Sequence, residues 1–149
     1  MIRRILRPRV LVYVSILVLI LGLFATSVAI RNPFRVDVVR DRASLARIVD
    51  DGKVENVYRL QIMNNAEVPQ RYRVRVQGLP GIALGDSKEI LVGPAEARWV
   101  TIGVQIPFES AKGAGSGAHP IQFEIERLAA DAANPGVKLS EKSTFMVPR

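Results

Sequence analysis

The sequence predicts an all-β fold: an antiparallel β-sandwich of seven to eight strands, preceded by one transmembrane α-helix. Three observations carry this expectation. Residues 10–30, VLVYVSILVLILGLFATSVAI, contain no charge, and only Tyr13, Ser15, Thr26 and Ser27 are polar. Beyond them, apolar residues recur at every second position in short runs, the signature of half-buried strands. These runs are divided by glycine, proline and asparagine turns with no amphipathic helix between them, which excludes parallel βαβ units and favours antiparallel pairing.

As a helix at ~1.5 Å per residue, residues 10–30 span about 31 Å, close to the ~30 Å hydrocarbon thickness of a bilayer. A helix satisfies its own backbone groups and so tolerates lipid. The competing reading is a cleaved secretory signal. Arg3, Arg4, Arg7 and Arg9 make a basic leader, and Ala25, Thr26 and Ser27 offer small residues at cleavage spacing. The apolar run exceeds the ~7–15 residues of a typical signal core, which favours an anchor. The expected organisation is a cytoplasmic leader at 1–9, a span at 10–30 and a domain at 31–149. The arginines on both sides of the span leave a simple charge count undecided.

The whole chain has 149 residues and a formal net charge of +7, and setting aside the four leader arginines takes this to +3. Its basicity is thus concentrated beside the span, where it suits anionic head groups, and no nucleic-acid partner is implied. No cysteine is present, which excludes thiolate clusters, disulfides and a cysteine nucleophile. His119 is the one histidine, so a zinc site of several imidazoles is excluded as well.

Taken in order, Pro33 ends the anchor. Residues 34–40 then alternate Phe34, Val36 and Val38 against Arg35, Asp37 and Val39. Residues 41–51 read as an irregular connection. Residues 54–65 set Tyr58, Leu60 and Ile62 against Arg59, Gln61 and Met63. Residues 71–77 set Tyr72, Val74 and Val76 against Arg71, Arg73 and Arg75, and these two strands are expected to pair as neighbours. Short strands follow at 82–84 and 88–92. Residues 98–106 bury Val100, Ile102, Val104 and Ile106, with Gly103 marking a bulge among the outward residues. Residues 107–118 read as a flexible surface loop. Residues 120–128 turn Ile121, Phe123 and Ile125 inward, 129–136 form a loop, and 137–147 are the last strand.

Few residues invite a chemical role. Glu124 and Glu126 lie two apart on one strand face, a spacing open to acid–base work but more simply a solvated face. Arg71, Arg73 and Arg75 form a stripe able to meet phosphate or an acidic partner, or simply to protect an exposed strand. His119 with Met63 or Met146 offers imidazole and thioether donors for copper, against the ordinary role of methionine as packing. The GAGSG run at 113–117 lacks the strand before and helix after that a phosphate loop needs. No catalytic, cofactor-binding or metal residue is assigned, and no small-molecule substrate is expected.

Three stretches together resemble a known family: LRPRVLVY at the span entry, DVVRDRASLARIVDDGKVENVYRLQIMNNAEVPQRYRVRVQGLPGIAL, and EKSTFMVP near the end. They are similar to the C-terminal part of the cytochrome c oxidase accessory proteins of the FixG/CcoG type. The resemblance implies an immunoglobulin-like sandwich outside the cytoplasm. It also implies a polytopic inner-membrane parent with ferredoxin-like 4Fe-4S clusters, associated with copper handling during maturation of the cbb-type oxidase. The cluster cysteines and the other spans are absent here, so the expected role is a membrane-anchored, non-catalytic assembly module. Its expected partners are the membrane and oxidase subunits or copper-handling proteins. The alternatives are a copper-binding exported domain using His119 and methionines, or the C-terminal piece of a split iron–sulfur protein.

Overall fold

The computed structural model describes residues 7–30, 32–41, 46–49, 52–86, 89–129 and 135–149. The chain divides into two compact units, residues 1–32 and 33–149.

In the first unit, α1 (Pro8–Ala29) is a single helix with mean hydropathy 2.5 and no buried residue within it. Pro8 stands in the first helical turn, where its missing N–H costs nothing. The polar side chains are satisfied internally: Ser15 Oγ donates to the Leu11 carbonyl and Thr26 Oγ1 to that of Gly22, both at 2.8 Å. The helix is long and apolar enough to cross a membrane.

The second unit is an immunoglobulin-like sandwich of two antiparallel sheets. One contains β1 (Phe34–Arg40), β3 (Val54–Asn64), β7 (Ala97–Ile106) and β5 (Ala83–Leu84) in the order β1-β3-β7-β5, with β2 (Arg47–Ile48) also paired to β3. The other runs β6-β4-β8-β9, built from β6 (Ile90–Val92), β4 (Gln70–Gln77), β8 (Gly117–Arg127) and β9 (Val137–Val147). Among the described residues, seven strands carry the sheets, and β2 and β5 are two-residue additions. The expected irregular connection at 41–51 contains β2, while residues 42–45 and 50–51 lie outside the described part.

Among the described residues, seventeen hydrophobic side chains on or at the ends of the strands are buried in the core, and Ala111 of the segment after β7 makes an eighteenth. Two ring pairs cross the interface edge to face, Phe34 with Tyr72 at 4.9 Å and Tyr58 with Phe123 at 5.0 Å between centroids. Burial pushes both tyrosine hydroxyls up, that of Tyr72 to about 12, so each remains a donor at neutral pH.

Three expectations are corrected. The strands β3 and β4 do not pair. They lie in opposite sheets, because Tyr58, Leu60 and Ile62 on one and Tyr72 and Val74 on the other face a shared core. The segment between them is a corner, held by the Asn64 amide to the carbonyls of Val68 and Gly93, both at 2.8 Å. The glycine-rich stretch at 107–118 is not wholly a loop either, for α2 (Phe108–Ala114) occupies it. Pro107 precedes its first turn, Glu109 and Lys112 complement its dipole, and Ala111 is buried. Gly103 marks no bulge, since the β3–β7 register continues through Val57 and Gly103. Instead, a Cβ there would stand 2.9 Å from a carboxylate oxygen of Glu55.

Glu55 explains that glycine. It is buried on the outer side of β3, where it accepts from Arg47 at 2.9 and 2.5 Å and from Gln105 Nε2 at 2.7 Å. Burial alone would raise its pKa, but the bonds from Gln105 and Arg47 and the arginine's charge outweigh that and hold it below the usual value. A carboxylate with a depressed folded pKa stabilises the native state above its unfolded value of ~4.3, and this increment disappears as pH falls. Glu55→Gln is therefore expected to be less stable than the parent at pH 7, with the gap narrowing as pH falls below ~4.3 in denaturant titrations. A gap independent of pH would show that the charge plays no part.

Candidate interaction surface

The outer face of the β6-β4-β8-β9 sheet carries the arginine stripe, and the ladder register decides its fate. Arg73 lies opposite Glu126 and Arg75 opposite Glu124. Arg73 pairs with Glu89 at 3.0 Å, and Arg75 with Glu124 at 3.5 Å and Glu126 at 3.7 Å. Lys138 adds a contact to Glu124 at 3.2 Å. Each exposed pair contributes little to stability, about 0–1 kcal/mol. Together they neutralise Arg73, Arg75, Glu124 and Glu126, so neither a free basic stripe nor a free carboxylate pair exists at those positions. Arg71 is different: its guanidinium has no ion-pair or hydrogen-bond partner among the described residues.

Arg71 lies directly across from Leu91 on β6 and borders a groove of about 480 Å³. Pro69, Gln70, Glu89, Leu91 and Leu128 form its other walls, and the Leu128 N–H donates to the Arg71 carbonyl at 2.9 Å. Gln70 is only 3 % exposed. Next to it, Arg127 is 6 % exposed: its Nη2 donates to the Pro135 carbonyl at 2.8 Å and its Nε has no partner among the described residues. Among the described residues, neither of these two guanidinium groups pairs with a carboxylate. Sequence reading passed over Gln70 and Arg127, although period-two counting places both on inward positions, Gln70 in line with Tyr72 and Val74, Arg127 in line with Phe123 and Ile125.

The copper donors do not converge. His119 Nε2 lies 2.8 Å from the Gly115 carbonyl. Met146 pairs with Ala118, so it projects from the opposite side of the sheet to His119. Met63 pairs with Arg35 and Ala97 at the far end of β3, whereas Asn56 near its start reaches Met146. The seven-residue separation along β3 corresponds to roughly 23 Å. No cluster of three or more histidine, aspartate or glutamate side chains that could hold a metal occurs among the described residues. The run at 113–117 ends α2 and opens β8, with no phosphate cradle. On the other sheet, Trp99 is half exposed beneath the Arg59 guanidinium, 5.5 Å from the ring centroid.

Comparison with known proteins gives this arrangement its family. Residues 24–148 match a family model described as "IG-like fold at C-terminal of FixG, putative oxidoreductase". The chain belongs to the FixG C-terminal family. Among solved structures, a FixG-related protein from Vibrio parahaemolyticus superposes with a TM-score of 0.63 at 27 % identity, covering 78 % of this chain and 97 % of that one. A fragment of α-2-macroglobulin from Escherichia coli, from its MG7 domain to the C-terminus, gives 0.50 at 21 % identity over 78 % of this chain and 17 % of that one, a likeness of fold alone. No curated protein matches the chain. The FixG C-terminal domain described here gives no sign of catalysis: no nucleophile, base and orienting group come together among its described residues.

Proposed function

We propose that this FixG C-terminal domain is a membrane-anchored assembly module that binds a protein partner and performs no chemistry itself. In this reading residues 1–9 are the cytoplasmic leader, 10–30 cross the inner membrane once, and 31–149 fold in the periplasm. The partner belongs to the cbb-type oxidase or to the proteins that handle its copper. The observation that carries the reading is the direct covalent joining of a bilayer-length apolar helix to a FixG-type sandwich whose polar groups are mostly consumed by one another. A tagged full chain is expected in inner-membrane fractions, digestible by protease added to the periplasm, and co-purifying with oxidase or copper-handling proteins. Recovery from the cytosolic soluble fraction overturns the placement, and purification free of those proteins overturns the partner class.

The family description, which sets this fold at the C-terminus of FixG, favours a second reading. The chain then acts as the C-terminal piece of a split iron–sulfur redox protein, with the electron carriers supplied by another polypeptide.

A further inference from the structure

Among the described residues of the sandwich, six large apolar side chains are half exposed or more: Val39, Ile48, Val68, Leu91, Trp99 and Phe108. Ile48 and Phe108 lie at one end, beside the paired residues Val54 and Ile106. Val68, Leu91 and Trp99 lie at the other, the end where the chain enters the domain. Hydrogen bonds define that end: the Asn65 N–H donates to the Pro33 carbonyl at 3.3 Å and the Ala95 N–H to that of Ala66 at 2.9 Å, which ties both corners to the entering chain. Arg98 Nη1 donates to the Leu91 carbonyl at 2.6 Å and so joins the β6 edge to the start of β7. Trp99 lies opposite Gln61, and Gln61 opposite Asp37, three residues beyond Phe34. Val39 lies opposite Arg59, whose guanidinium stands over the Trp99 ring.

Three residues, Ile30 to Asn32, separate the end of α1 from Pro33, so extended chain carries Pro33 at most about 14 Å from Ala29. With α1 across a bilayer, a tether this short keeps the entry end of the sandwich beside the lipid head groups. That layer is where a half-exposed tryptophan is best accommodated, because the indole body is apolar and its N–H polar. The basic side chains around it suit the same place. Arg59 stacks on Trp99, and Arg71 lies across from Leu91, so both can face lipid phosphates. Of the acids at this corner, Glu96 is engaged by the Gly93 N–H and Arg98, which leaves Glu67 as the opposing charge.

We propose that Trp99, flanked by Val68 and Leu91, rests in the head-group region of the bilayer that α1 crosses and gives the domain a second, peripheral contact with lipid. The proposal rests on the anchored reading and adds to it the surface of the sandwich that lies on the membrane.

The full chain carries its own probe, since Trp99 is its one tryptophan. It is reconstituted in vesicles of phosphatidylcholine and phosphatidylglycerol, and the phosphatidylcholine is then replaced by its dibrominated form, a short-range quencher. Trp99 is expected to lose roughly half of its emission, as an indole at the boundary of head groups and acyl chains does. In a Trp99→Phe background, Leu91→Trp should be quenched to a similar degree, whereas Phe108→Trp, which follows β7 at the opposite end of the domain, should keep its emission. Trp99 emission insensitive to bromination, or quenching equal at Trp99 and at the Phe108→Trp probe, overturns the proposal. A chain that floats with the vesicles while Trp99 stays unquenched loses the peripheral contact and keeps the anchor; a chain that does not float loses both.

Discussion

Asn64→Ala is expected to destabilise the sandwich by about 3–5 kcal/mol and to lower its Tm by roughly 10–20 °C. Asn64 is 2 % exposed and closes β3. Its Nδ2 donates to the carbonyls of Val68 and Gly93, and its Oδ1 accepts from the Ala66 N–H at 3.0 Å and the Tyr72 hydroxyl at 3.3 Å. Four bonds at ~1 kcal/mol each give the middle of this range, and the stranded Tyr72 hydroxyl moves it toward the top. Asn64→Asp keeps the acceptor but turns a carboxylate toward two carbonyl oxygens, so it should recover little. Urea unfolding of the full chain, followed by Trp99 fluorescence, measures both. A loss below about 1 kcal/mol for the alanine variant would show that the corner is held by other contacts.

That corner also shows where sequence reading stops. Alternation in 54–65 and 71–77 identifies the strands and their buried faces, because a period of two leaves one set of side chains for the core. It cannot say whether consecutive strands share a sheet. Here that is decided by a five-residue connection and by one buried amide that satisfies both loops, a role no period reports. The helix α2 was hidden by composition: glycine at 113, 115 and 117 suggests flexibility, while Phe108, Glu109, Ser110, Ala111 and Lys112 start a helix of nearly two turns that Gly115 then ends. Gly103 was read through its own conformational freedom, when its reason is the Glu55 carboxylate on the neighbouring strand. The family was legible in stretches such as 37–42, 55–58 and 141–145, but the arginine stripe was not. Only the strands beside β4 reveal that two of its three members already have partners, Glu124 and Glu126 on β8 for Arg75 and Glu89 just before β6 for Arg73.

The second large effect concerns the edge of β9, which is eleven residues long and forms the border of its sheet. Long unpaired edges template association with other strands. Asn56, 2 % exposed on β3, reaches across the sandwich and treats Met146 as a strand neighbour would: its Nδ2 donates to the Met146 carbonyl at 2.8 Å and its Oδ1 accepts from the Met146 N–H at 3.2 Å. The Tyr58 hydroxyl donates to the Thr144 carbonyl at 2.8 Å. Asn56→Ala removes two bonds and strands two backbone groups, an expected loss of about 2–3 kcal/mol, and Tyr58→Phe adds about 1 kcal/mol. The two sites meet on alternate residues of β9, Thr144 and Met146, so the double variant should depart from simple addition. It should also self-associate, because the freed Thr144 and Met146 groups seek another strand. Urea unfolding measures the first effect and light scattering of the full chain in micelles the second. A double variant that stays monodisperse and loses less than about 1 kcal/mol would mean that the two side chains do not close the edge.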